Sequence, residues 1–202
     1  GNFNLDCADD TLHAGGTIAI SDGTITALSG DDGIHSDTEL TITGGTIDIQ
    51  KSYEGLEGVN INIEGGNISI VASDDGINVN DSNGLLNITA GTTYVNARGD
   101  GLDSNGSITM SGGTVLVDGP TSNGDGALDY DYTANITGGT LVTAGSSGMV
   151  QAITASDNKS TLNLYFTETQ KANTLVSITD ESGNLVCAYK PTKDFQNIVI
   201  YK

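Results

Sequence analysis

The chain has 202 residues, a formal net charge of −19, 36% apolar content, 28 glycines, 2 prolines and no tryptophan. That is enough apolar material for one domain, and no stretch is long enough to cross a bilayer, so membrane insertion is not expected. A surface of this sign repels phosphate backbones and anionic headgroups, which argues against nucleic acid as a partner and makes divalent cations the natural counter-ions.

The charge is unevenly placed. Residues 1–150 hold 21 acids against Lys51 and Arg98, whereas residues 151–202 hold 5 acids against Lys159, Lys171, Lys190, Lys193 and Lys202. Within the first part an acidic tag returns in chain order: Asp9-Asp10, Asp31-Asp32-Gly33-Ile34, Glu54-Gly55-Leu56, Asp74-Asp75-Gly76-Ile77, Asp100-Gly101-Leu102 and Asp125-Gly126-Ala127. Taking positions 10, 32, 54, 75, 100 and 125 as markers, the spacings are 22, 22, 21, 25 and 25 residues, which is the signature of a coil of near-constant length.

Each coil contains two short runs that alternate apolar and polar residues around a tight turn, as in Glu39–Thr43, Gly44-Gly45 and Thr46–Gln50. Period-two alternation predicts strands with one wet and one buried face. The turns recur as Asp22-Gly23, Gly44-Gly45, Gly65-Gly66, Ala90-Gly91, Gly112-Gly113 and Gly138-Gly139, where a corner with positive φ favours glycine. The inward residues fall into columns. One is Leu40, Ile61, Leu86, Ile108 and Ala134, and the next is Ile42, Ile63, Ile88, Met110 and Ile136. A third is Ile47, Ile68, Thr93, Val115 and Leu141, and the tag adds Ile34, Leu56, Ile77 and Leu102. These columns predict an all-β fold, a parallel β-helix of about six to seven coils over residues 1–150, right-handed by default.

A solenoid exposes an edge at each end. Residues 151–202 fit the role of a C-terminal β-strand cap: Leu162–Thr167, Leu175–Thr179 and Leu185–Tyr189 alternate like strands, and Asp180–Asn184 reads as a hairpin turn. The glycine at position 1 and a last strand running to Lys202 suggest a piece excised from a longer protein. Cys7 and Cys187 lie at opposite ends of the repeats and are expected as free or buried thiols.

If coils stack at strand spacing, neighbouring markers stand roughly 4.8 Å apart. Two like charges at that distance repel by about 0.9 kcal/mol in water and about 3.5 kcal/mol at an effective dielectric near 20. More oxygen donors follow at fixed offsets. Three residues after the marker come His13, His35, Glu57, Asn78 and Asp103, with Asp129 one place late; five after come Asp37, Asn80 and Asn105, with Asp131 one late. Carboxylate and amide oxygens with few thiols or imidazoles make a hard-cation environment, so Ca2+ is the expected cofactor. The candidate ligands are Asp10, Asp32, Glu54, Glu57, Asp75, Asn78, Asp100, Asp103, Asp125 and Asp129, grouped into cages between neighbouring coils. The competing reading is that Asp-Gly is simply a good turn dipeptide whose carboxylate bonds nearby N–H groups. Zinc would need further nitrogen or sulfur ligands, so His13 and His35 are read as stacked, hydrogen-bonded edge residues.

Outward rows of Thr and Asn, such as Thr41, Asn62, Asn87 and Thr109, offer either a shelf for a polysaccharide or a ladder that stabilises the sheet. Tyr53, Tyr94 and Tyr130 are candidate sugar-stacking residues. Nucleophilic triads and phosphate loops are absent. The one enzyme class that suits the inventory is calcium-assisted β-elimination of a uronic-acid polymer, with Lys51 or Arg98 as base.

The order Gly44–Ile49 and Asp74–Ile77, together with Gly99-Asp-Gly-Leu-Asp-Ser-Asn105, resembles a family of secreted bacterial calcium-binding β-helix domains, known as carbohydrate-binding domain-containing proteins, over residues 9–150. The resemblance implies a pectate-lyase-like right-handed β-helix and a secreted or cell-surface location. It also implies calcium on Asp32, Asp75, Asp100 and Asp125 and, with glutamate in place of aspartate, on Glu54. The implied partner is a plant cell-wall polysaccharide such as polygalacturonate or cellulose. A non-catalytic, monomeric, calcium-dependent binding module is the first expectation; a lyase and a structural stalk or adhesin are the alternatives.

Overall fold

Short runs rich in Ile, Val, Leu and Thr, separated by glycine turns, form strands because β-branched side chains fit a pleated, half-buried surface. The computed structural model describes residues 1–155 and 161–202, so Lys159 lies outside the described residues, whose regular structure is entirely β-strand. Strands of successive coils pair in parallel. Ile34–Ile42 stacks on Leu56–Ala72, which stacks on Leu85–Ala97, and Thr114–Asp118 follows on the last of these.

Register places each predicted column residue on its neighbour. Ile18, Leu40, Ile61, Leu86, Ile108 and Ala134 form one stack, and Ile20, Ile42, Ile63, Ile88, Met110 and Ile136 the next. Ile25, Ile47, Ile68, Thr93, Val115 and Leu141 form the third. Leu12, Ile34, Leu56, Ile77, Leu102 and Leu128 form the fourth. From the second coil onward these side chains are buried in one continuous core. A one-residue slip would turn every one of them outward, so the hydrophobic pattern pins the register.

Two backbone constraints explain the glycine punctuation. The second residue of every predicted turn, from Gly23 to Gly139, has φ between 81° and 105°, a region costly for residues with a Cβ. In the tag, a Cβ on Gly33, Gly55, Gly76 or Gly101 would stand 2.3–2.6 Å from the carbonyl oxygen of the next coil. The tag glycine is therefore what lets adjacent coils approach closely at the acidic edge.

The last coil corrects the marker assignment. Leu128 bridges to Leu102, and the Gly126 N–H bonds the Asp100 carboxylate, so the register position belongs to Gly126 and Asp125 lies one residue before it. The shift arises in the longer connection over 119–125. It also places Asp129 in line with Asp103 rather than one place late.

The strand Phe195–Tyr201 ends the parallel stack by pairing antiparallel with Thr140–Gly145 on one side and Thr161–Gln170 on the other. This closes an edge that would otherwise invite pairing with another chain. A separate hairpin, Val176–Thr179 with Leu185–Tyr189, packs with Val142, Ala144, Phe195, Ile198 and Ile200 in a second core. Cys7 and Cys187 are both free. The hairpin and the segment after it are tied to the coils through Asp118, which is 1% exposed. Its carboxylate accepts bonds from the hydroxyls of Tyr94 at 2.8 Å and Tyr189 at 2.7 Å, and from the Thr192 N–H at 2.8 Å and the Thr192 hydroxyl. A buried carboxylate is costly unless bonded in this way, and removing it strands its donors.

Asp118→Ala is accordingly expected to lower unfolding stability by about 2–4 kcal/mol, with loss of hydrogen-exchange protection in 185–189. Denaturant titration with exchange mass spectrometry checks both; an unchanged midpoint would contradict the latch.

Candidate metal-binding edge

The markers line one edge because each tag occupies the same corner of its coil. Their carboxylates do not hang free. Asp10 Oδ1 accepts the Asp32 N–H at 2.9 Å, Asp32 Oδ1 the Glu54 N–H at 3.2 Å, and Asp75 Oδ1 the Asp100 N–H at 2.6 Å. The Asp100 carboxylate accepts the Gly126 N–H in the same manner. One oxygen of each aspartate thus closes a backbone donor of the next coil. As the turn reading of Asp-Gly expects, these carboxylates capture backbone N–H groups, and the bonds cross between coils.

The three-after column stands beside the markers in register: His13, His35, Glu57, Asn78, Asp103 and Asp129. Glu54 accepts the Asn78 amide N–H at 2.8 Å, and Glu57 accepts that of Asn80 at 2.6 Å. Asn78 Oδ1 is buried and has no donor. An amide oxygen in that state loses the hydration it would have in water and gains nothing in return. Among the described residues, Asp100, Asp103 and Asp129 bring carboxylate oxygens within 4.8 Å of one another, and the groups Asp10, His13, His35 and Asp32, His35, Glu57 bring imidazole nitrogens and carboxylate oxygens equally close.

Burial, together with the neighbouring acids, pushes these carboxyls well above the ordinary range. Desolvation is the largest cause throughout. Asp32, which is 6% exposed, rises to about 8, Glu54 to about 7, Asp75 to about 6, and Asp100 and Asp103 each to about 7. No lysine or arginine is paired with any of them among the described residues, where the one Lys–carboxylate bridge is Lys171 with Asp194. Asn78 is the register partner of Asp103, whose carboxylate groups with those of Asp100 and Asp129 and lies near Asp75, so the donors on this stretch of the edge are all oxygen. These residues fit a hard divalent cation, which would supply the missing partner and the missing positive charge together.

Other candidates fall in different places. Tyr53 is exposed on the same edge between Asp31 and Asp74, and the Asp74 carboxylate beside its hydroxyl raises that group to about 12. Tyr94 is held under the C-terminal segment by Asp118, away from the edge. Tyr130 follows Asp129 and donates its hydroxyl to the Ala152 carbonyl. The Thr and Asn row bonds to itself: Asn62 donates to Thr41 at 3.4 Å, Asn87 to Asn62 at 3.4 Å, and Thr109 to Asn87 at 3.0 Å. Its side chains already serve the sheet.

Lys51 is exposed. Arg98 lines a cleft of about 420 Å³ together with Ser73, Asp74, Ser122, Asp125 and Lys193. Lys193 gave no signal in the sequence, because it reaches the coils only when the C-terminal segment returns along them. Its ammonium donates to the Ala97 carbonyl, and burial lowers it to about 8.

A family model for carbohydrate-binding domain-containing protein matches residues 31–189, well over half of the chain, and the chain belongs to that family. The match runs through the coils and into the C-terminal strands. Neither a curated protein nor a solved structure matches the chain.

The raised carboxyls fix a pH dependence for the cation-free protein. Their folded values of about 6 to 8 exceed ordinary values of 3.8 and 4.5, so the folded state holds more protons and stability falls as pH rises through that window. In chelator, the melting temperature is expected to be highest near pH 4 and to decline towards pH 8, as followed by circular dichroism. A rise over that interval would contradict the burial of these groups.

Proposed function

We propose that this domain is a non-catalytic, calcium-dependent polysaccharide-binding module of a secreted or surface-attached protein, with acidic plant cell-wall glycans such as polygalacturonate as its first ligand class. Membership of a carbohydrate-binding family supports the sugar. The observation that carries the calcium is the orphaned Asn78 Oδ1, on a residue in register with Asp103, whose carboxylate gathers with those of Asp100 and Asp129. When bound, calcium supplies positive charge that neutralises the column and attracts sugar carboxylates and hydroxyls. The chain's own residues do the rest. Asp75 and Asp100 each give one oxygen to a backbone N–H of the neighbouring coil and so are held in a fixed orientation, which leaves the other oxygen for the ion.

An anionic polymer approaching a chain of net charge −19 meets repulsion unless cations intervene. Binding of polygalacturonate should therefore require the ion, whereas a neutral glucan should be less sensitive to its removal. Tyr53, exposed beside Asp74, offers a ring for a sugar face on the same edge.

A second reading rests on one observation, the cleft that joins Arg98 to Lys193. A lysine lowered to about 8 holds a usable fraction of neutral amine near neutral pH, as a base for proton removal next to a sugar carboxylate requires. β-Elimination would leave an unsaturated sugar at the new chain end.

Two outcomes test the proposal. Calcium is expected to raise the melting temperature at pH 7, and Asp103→Asn to weaken its binding by more than about tenfold, as an outer-shell loss alone can do; calorimetry that finds no calcium heat would contradict it. Polygalacturonate retention in a pull-down is expected to vanish in chelator without any unsaturated product, whereas product that disappears in Lys193→Ala would replace this reading with the lyase.

A further inference from the structure

At the N-terminal end of the edge, two imidazoles stand where later coils have carboxylate and amide oxygens. His13 and His35 share one register position in successive coils, with ring centroids 4.7 Å apart and planes 26° apart. Both Nδ1 atoms face the same oxygen, Asp10 Oδ2, at 2.7 Å from His13 and 3.6 Å from His35. His35 Nδ1 also lies 3.3 Å from Asp32 Oδ2 and 3.1 Å from Glu57 Oε2. These are the oxygens that the backbone ladder and Asn80 leave over, since the Oδ1 atoms of Asp10 and Asp32 and the Oε1 of Glu57 are already bonded.

A ring nitrogen carries one hydrogen or one lone pair, not both. Three carboxylate oxygens converging on His35 Nδ1 compete for one hydrogen at most, so the ring alone cannot satisfy all three of them. A cation among them would satisfy all the donors. Ligands held tetrahedrally at 2.0–2.1 Å from an ion lie roughly 3.3 Å from one another; the oxygens stand 3.1, 3.3 and 3.6 Å from His35 Nδ1, whereas His13 Nδ1 and Asp10 Oδ2, hydrogen-bonded at 2.7 Å, would have to part slightly to share the ion.

A second feature is independent of the cluster's inner face. Asp37 Oδ1 sits beyond both rings, 3.4 Å from His13 Nε2 and 3.5 Å from His35 Nε2. A metal-bound imidazole commonly gives its outer N–H to a carboxylate, which fixes the tautomer that presents the other nitrogen as a lone pair. Asp37 is placed to do this for both histidines.

We propose that His13 Nδ1, His35 Nδ1 and Asp10 Oδ2 bind a divalent transition ion of the zinc type, with a further oxygen from the Asp32 and Glu57 pair beside His35. Two nitrogens and carboxylate oxygens suit such an ion, whereas the all-oxygen set around Asn78 suits calcium. The edge thus sorts cations along its length, with a mixed nitrogen and oxygen site at the first coils and hard sites further on. This inference does not depend on the glycan or on calcium at Asn78.

The test is calorimetric titration of Zn2+ into the full chain held in excess Ca2+, with Co2+ as a spectroscopic probe. We expect one equivalent of Zn2+ and a visible Co2+ absorption typical of low coordination number. His13→Ala, at a ring that is half exposed, is expected to keep the fold and weaken Zn2+ by more than about tenfold. Asp100→Asn should leave Zn2+ binding unchanged. Heat that excess Ca2+ abolishes, or equal Zn2+ affinity in wild type, His13→Ala and His35→Ala, would overturn the site.

Discussion

Parallel stacking in register is the constraint from which everything else in this molecule follows. Backbone bonds between coils fix neighbouring strands at one spacing, and the buried isoleucine columns forbid slippage. Whatever residue type occupies a position in one coil is therefore delivered next to its counterpart in the following coil. At the tag this brings acids together whether or not they repel. The fold accommodates them by giving one oxygen of each aspartate to a backbone N–H of the next coil, so the carboxylate column is stitched into the stack. The cost of burying the charge appears as the upward shift of Asp32, Glu54, Asp75, Asp100 and Asp103. A bound divalent ion would convert that cost into a binding energy.

The fold was largely legible in the sequence because its rules are local and repeated. Alternation gave the strands, six glycine corners gave the turns, and the columns from Leu40 to Ala134 and from Ile42 to Ile136 needed only counting. Counting failed at the last coil, where the longer connection over 119–125 moves the marker position from Asp125 to Gly126. Spacing cannot reveal such a shift, because a bulge in a loop leaves the residue types unchanged.

Contacts made by the C-terminal segment were not legible. Lys193 and Arg98, or Asp118 with Tyr189 and Thr192, meet only after the chain turns back along the coils, and no periodicity links them. Tyr94 shows the consequence: an aromatic residue beside the coils reads as a sugar platform until the returning segment covers it. The histidines were placed correctly as a stacked pair, yet the convergence of Asp10, Asp32 and Glu57 on one nitrogen depends on side-chain directions that spacing does not encode.

The division of labour that emerges is a parallel β scaffold with a titratable, acidic edge and a C-terminal group of strands that pairs with its last coil. Its central claim is that a divalent ion completes the cluster around Asn78. The most direct measurement is anomalous diffraction from crystals grown with calcium. The account predicts a peak touching Asn78 Oδ1 and the carboxylates of Asp100 and Asp103. Density showing that oxygen bonded to a protein donor or water, with calcium only at scattered surface acids, would contradict it.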